Sequence, residues 1–167
     1  MTVSSSALDR CLFNALSFLK DGWFDEDIGI VAAVIVDGNG KAAYAASRHI
    51  GDNKYSQAEM NVLAEFRKIH GSDPGEGAVM VVTLPSTVKS RLSAADRAAL
   101  ADAGIAEIRY SDATANALLA EQCKKITDCF NLRAKAGKAS DGYKNKAVFD
   151  GVFKNFDAVK ASVKPVR

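Results

Sequence analysis

Three observations predict an α/β fold, a three-layer α-β-α sandwich built on a mixed sheet. The chain has 167 residues, 48% apolar and 25% charged, which suits one globular domain with a real hydrophobic core and excludes wholesale disorder. Ile28 to Val36 is an almost unbroken apolar run, followed by Asp37-Gly38-Asn39-Gly40 and then Lys41 to Arg48. That is a hairpin signal, with turn residues that tolerate positive φ. Downstream, helically spaced stretches alternate with strand-length apolar runs, the pattern of crossovers that place helices on both faces of a sheet.

Each element has its own local reason. Ser6 followed by Asp9 reads as a helix start, and Leu8, Cys11, Leu12, Ala15, Leu16 and Leu19 recur at helical spacing until Gly22. After the hairpin, Ser56 opens a second helix that turns Val62, Leu63, Phe66 and Ile69 to the core and ends before Gly71. Ala78 to Leu84 is a continuous apolar run of strand length, predicted to be a buried central strand that Pro85 stops. Ser93, with Asp96 three residues on, begins a third helix that Gly104 closes. Ile105 to Tyr110 is a short strand, and Ala113 to about Ala136 a long helix. Phe149, Val152, Phe153, Phe156, Val159 and Val163 mark one last amphipathic helix. The expected organisation is an α/β domain over 1–136, with a basic amphipathic C-terminal helical extension over 137–167 packed on it.

Charge and cysteine usage narrow the classes further. The net charge of +2 hides an asymmetry: residues 133–167 carry nine Lys/Arg against three Asp/Glu, a net of +6, and the preceding residues carry −4. No apolar run approaches the ~18 residues that span a bilayer, so no membrane partner is expected. The N-terminus lacks the basic and apolar regions of a secretory signal. Three cysteines at positions 11, 123 and 129 make no disulfide framework. A reducing, cytoplasmic location is expected.

The most informative stretch is Ser56-Gln57-Ala58-Glu59-Met60-Asn61, followed after a helix and a buried strand by Thr83-Leu84-Pro85 and then by Ala103-Gly104-Ile105 to Tyr110. In this order, these segments resemble the cytidine/deoxycytidylate deaminase superfamily. Its signature is H-x-E at one helix N-terminus and P-C-x-x-C at the next. The resemblance covers the element order from about Ser6 to Ala136. It implies a cytidine deaminase-like fold and a cleft between the N-termini of the Ser56 helix and the helix after Pro85. Gln57, Glu59, Pro85 and Ser86 would then be ligand-binding, and Glu59 would stand where the family has its proton-shuttling, catalytic glutamate.

The departures from the family matter more than the matches. Family zinc is held by one imidazole and two thiolates, which activate a water. Here Gln57, a neutral amide, stands at the imidazole position. Anchored on Pro85, the thiolate positions fall on Ser86 and Lys89; anchored on the downstream Ala-Gly-Ile, they fall on Ser93 and Asp96. Neither register supplies a thiol, and an ammonium repels a cation. No zinc, no other cofactor and no metal ligands are expected. Glu59 also has a purely structural reading, since Ser56-x-x-Glu59 is a capping box in which the glutamate reaches back to the cap N–H. Ser93-x-x-Asp96 has the same one.

The other candidates are thinner. His49 and His70, the only histidines, share no metal-ligand spacing. Cys123 and Cys129 lie six apart on one helix, about 600° of rotation, and read as small buried residues on different faces. There is no phosphate-binding glycine motif. In the C-terminal extension, Lys144, Lys146, Lys154 and Lys160 accompany Tyr143, Phe149, Phe153 and Phe156, a mixture that can bind single-stranded nucleic acid or a partner protein. The three phenylalanines, at i, i+4 and i+7, also make one buried face with the lysines as its solvated rim. Deaminase-like domains commonly assemble through helices flanking the active site, so a homo- or hetero-oligomer is a further expectation.

The first reading is therefore a zinc-free, inactive deaminase-like protein that binds a nucleotide, a nucleic acid or a partner protein. Its rivals are an active deaminase or other hydrolase using Glu59 in an unorthodox site, and an unrelated α/β domain.

Overall fold

Every residue of strand β1 (Ile28–Val36) after the first is buried, because helices cover both faces of the sheet at this strand. The computed structural model describes residues 5–25, 27–51, 54–84, 92–136 and 145–163. Helix α1 (Ser5–Asp21) precedes β1, and β2 (Ala42–Gly51), β3 (Lys54–Ser56), α2 (Ala58–His70), β4 (Ala78–Val82), α3 (Ala94–Asp102) and β5 (Ile105–Tyr110) follow it. A single 3-10 turn over Ser111–Ala113 leads into α4 (Ala117–Ala136), and then come α5 (Lys146–Val152) and α6 (Phe156–Ser162).

The sheet is mixed and five-stranded, in the order β3-β2-β1-β4-β5. β1 pairs antiparallel with both β2 and β4, and β4 pairs in parallel with β5. The hairpin is closed by Asp37: its Oδ1 accepts from the N–H groups of Asn39 and Lys41, both at 2.9 Å. Gly40 at φ 84° supplies the positive dihedral that the turn requires.

Strand alternation divides the core in two. Ile30, Ala32, Val34, Val79 and Val81 pack with α1, α4 and the C-terminal helices. Val31, Ala33, Ile35, Met80 and Val82 pack with α2 and α3 on the other face. The predicted three layers are thus present, and β4 is the buried central strand expected from its apolar run.

β2 runs on to Gly51 and β4 stops at Val82 rather than Leu84, and three larger differences from the sequence expectation follow. β3 was not expected; it pairs with β2 through Arg48–Ser56 and His49–Tyr55 and so delays the second helix to Ala58. The long helix begins at Ala117 rather than Ala113, because the chain first makes the 3-10 turn. The last helix is two helices, interrupted at Phe153–Asn155. Around that break, Phe153 meets the fully buried Trp23 edge-on at 5.3 Å, and Phe156 stacks on Phe13 at 5.0 Å. Val152, Phe153, Phe156 and Val159 belong to the same core cluster as α1 and α4. Among the described residues, no helix is long and apolar enough to cross a membrane.

Candidate functional site

Helix α2 begins where β3 ends, and Gln57 is its N-cap, with extended backbone at φ −72° and ψ 136°. The Gln57 side chain does not cap the helix. Ala58, 0% exposed, brings the first turn close against the sheet, where any larger residue would hold it off. Glu59 follows at the second helical position and is also 0% exposed. A carboxylate suits this first turn electrically, since the unsatisfied N–H groups of a helix N-terminus carry a partial positive charge.

The expected capping box is not formed. Ser56 lies in β3, and its Oγ accepts from Asn61 Nδ2 at 2.9 Å. The same amide donates to the carbonyl of Ala46 at 2.9 Å. Asn61 thereby ties α2 to β2 and β3 together, and the cap position falls to Gln57. Glu59 sits two residues after the cap instead of three, so it is not the reciprocal partner of a capping serine. At the third helix the serine half of the expected box is present: Ser93 caps α3, its Oγ accepting from the N–H of Asp96 at 3.0 Å.

The other side of the site comes from the end of β4. Thr83 extends the pairing with β1 past the last strand residue, donating its N–H to Ala32 O at 3.0 Å while its Oγ1 accepts from Ala32 N at 3.1 Å. Leu84 is buried, and its carbonyl accepts from Ser111 N at 3.4 Å. Ala58, Leu84, Leu92 and Tyr110 share one buried cluster, so the α2 N-terminus, the ends of β4 and β5 and the approach to α3 converge. Pro85, Ser86 and Lys89 lie outside the described residues, as does Lys144.

No family model, curated protein or solved structure matches this chain. The chemistry of the site therefore rests on its own residues.

Among the described residues, those of the site do not fit zinc. Gln57 offers a neutral amide, Ser93 is engaged as a helix cap, and the thiols are in the wrong layer. Cys11, Cys123 and Cys129 all belong to the α1–α4 side of the core, across the sheet from α2. Burial pushes each thiol up, Cys123 to about 12 and Cys129 to about 11, which holds them as neutral hydrophobes rather than thiolate ligands. Cys123 and Cys129 are both buried in the α1–α4 core, Cys129 on the side that faces Val148 and Val152 of α5. Among the described residues, no three His, Cys, Asp or Glu side chains cluster as a metal site.

Of the remaining candidates, His70 closes α2, its Nε2 2.9 Å from Ala42 O and its ring against Phe66. The side chain of His49 lies outside the described residues. Lys146, Lys154 and Lys160 are exposed, and Lys146 pairs with Asp150 at 3.3 Å. The phenylalanines between them face the core: Phe153 and Phe156 are buried, and Phe149 leans on Phe24 and Trp23. The structure does not bring these lysines to the α2 site.

Sequence reasoning did not single out Asn61 or Thr83 for the roles they play. Asn61 was visible only as part of the tetrapeptide, and nothing local marks a side chain that binds across to two strands.

Proposed function

We propose that this chain is a deaminase-like protein without a zinc site, which binds a nucleotide beside Gln57 and Glu59 and does not turn it over. The observation that carries this reading is the complete burial of Glu59 outside any capping box. A buried carboxylate in the first turn of a helix is a strong acceptor, of the kind that the N–H edge of a nucleobase satisfies. Glu59 and Gln57 together offer acceptors and amide donors of the kind that pair with the edge of a nucleobase.

Two further observations support the reading. The hairpin, the helix opening on Ala58-Glu59-Met60-Asn61, the buried strand running into Thr83-Leu84 and the parallel β5 follow the order found in the superfamily. The three thiols all lie across the sheet, which supports a site without thiolate ligands.

The test is calorimetric titration of the purified chain with cytidine, deoxycytidylate and adenosine, alongside elemental analysis and an assay for released ammonia. Binding of one of these ligands without turnover, weakened at least about tenfold by Glu59→Gln, is the expected result. Stoichiometric zinc with turnover that Glu59→Gln abolishes would replace this reading with that of an active deaminase. Failure of all three ligands to bind would remove the nucleotide assignment.

A further inference from the structure

The two edges of the sheet are built differently. β3 is three residues long, a short edge of the kind that offers other strands little to pair with. β5 is six residues long, Ile-Ala-Glu-Ile-Arg-Tyr, and among the described residues no strand lies on its outer side. A groove of about 330 Å³ lies between α3 and this strand, lined by Arg97, Leu100 and Ala101 of α3 and by Ile105, Glu107 and Ile108 of β5.

Glu107 and Arg109 project from the same face of β5, opposite Val79 and Val81 of β4. They pair with each other, Arg109 Nε to Glu107 Oε1 at 3.0 Å, with side chains 36% and 48% exposed. An ion pair so open to solvent is weakly held and readily exchanged for an equivalent one.

We propose that β5 is the surface through which two copies of this chain associate, edge to edge and antiparallel about Ile108. A two-fold axis perpendicular to the sheet keeps the faces aligned and pairs each residue with one of like face. Centred on Glu107, it sets two carboxylates opposite each other; centred on Arg109, two guanidinium groups. Centred on Ile108, it sets Glu107 of each copy opposite Arg109 of the other, and directly opposed unlike charges stabilise an antiparallel pair. A Glu-x-Arg edge thus matches its own copy in this register. The outward main-chain groups around Ile108 then gain ladder partners, and the groove beside α3 is covered by the second strand. This association is independent of any ligand at the α2 end of the sheet.

The experiment is sedimentation velocity on the full chain from low micromolar to several hundred micromolar, with Glu107→Arg, Arg109→Glu and the double exchange. Circular dichroism confirms that each variant is folded. The expected result is a monomer–dimer equilibrium that each single exchange weakens at least about tenfold and the double exchange restores. The two single variants, mixed in equal amounts, associate with one another. Hydrogen exchange of the unmodified chain gives a second readout, in which β5 amides gain protection as concentration rises. A monomer throughout the range, a dimer indifferent to both single exchanges, or β5 amides whose exchange ignores concentration would each overturn the proposal.

Discussion

Asn61 donates its side-chain amide to Ser56 Oγ at 2.9 Å, and this one contact decides what the start of α2 is. It holds Ser56 in the edge strand, away from the helix cap, and leaves Glu59 to be buried for another reason. Replacing Asn61 with Ala removes this bond and the one to Ala46, for an expected loss of about 1–3 kcal/mol. Ser56→Ala should cost about 1 kcal/mol or less. Denaturant titration of a double-mutant cycle should find coupling between Ser56 and Asn61 and none between Ser56 and Glu59. Coupling confined to the second pair would restore the capping box.

Glu59 separates burial from charge. Glu59→Gln keeps the volume and half the acceptors, so its expected cost is about 1 kcal/mol. Glu59→Ala leaves a cavity beside α2 and should cost about 2–4 kcal/mol. Equal and negligible effects of both substitutions on the urea midpoint would contradict the burial of this side chain.

Gly104 is needed by the turn that feeds β5. Its φ is 101°, and an added Cβ would lie 2.7 Å from the carbonyl oxygen of Pro74. Because that neighbour is main chain, Gly104→Ala must shift the turn, at an expected cost of about 1–3 kcal/mol. Gly40→Ala meets nothing within 4 Å and carries only the strain of its positive φ. Thermal melts of the two variants should therefore rank Gly104→Ala as the more damaging.

The cysteines predict an alkaline limit. Their folded values are raised from 9.0, to about 12 for Cys123 and about 11 for Cys129. Above pH 9 the unfolded thiols ionise while the folded ones keep their protons, so the unfolded state binds fewer protons and stability falls. The contribution is fully present below pH 9 and is lost as pH rises through the folded values. Urea midpoints should decline from pH 9 upwards, and a Cys123→Ala variant should show a shallower decline. Thiol reagents at pH 8 should react with the native protein only slowly and with the unfolded chain at once.

The C-terminal helices distinguish packing from surface chemistry. Phe153→Ala removes a ring seated on Trp23 and should cost about 3–5 kcal/mol. Changing Lys146, Lys154 and Lys160 together to Gln should alter stability by no more than about 0.5 kcal/mol per site. If the triple variant instead abolishes a salt-sensitive affinity for single-stranded RNA or DNA, these exposed lysines contact phosphates.

Most of the architecture was readable because its signals are local. The run Ile28–Val36 is a strand at those bounds, and Ser93 caps the helix that its spacing announced. The candidate site was readable only in part. Gln57 and Glu59 were recognised by residue type, but the capping box was the best local explanation for Glu59, and it was the wrong one. The break at Phe153–Asn155 was equally hidden, since Phe149, Phe153 and Phe156 keep helical spacing across it. Their rings turn to one aromatic cluster whether or not the backbone between them stays helical.

Periodicity, turn chemistry and burial pattern were thus enough to specify the layers, most of the strands and which helices have apolar faces, because each depends on neighbours a few residues away. Tertiary structure alone decided three matters: Ser56 in an edge strand, Glu59 buried without a cap, and all three thiols on the far side of the sheet. Each is set by contacts between segments distant in the chain or by which face of the sheet a helix covers. No window of sequence contains either.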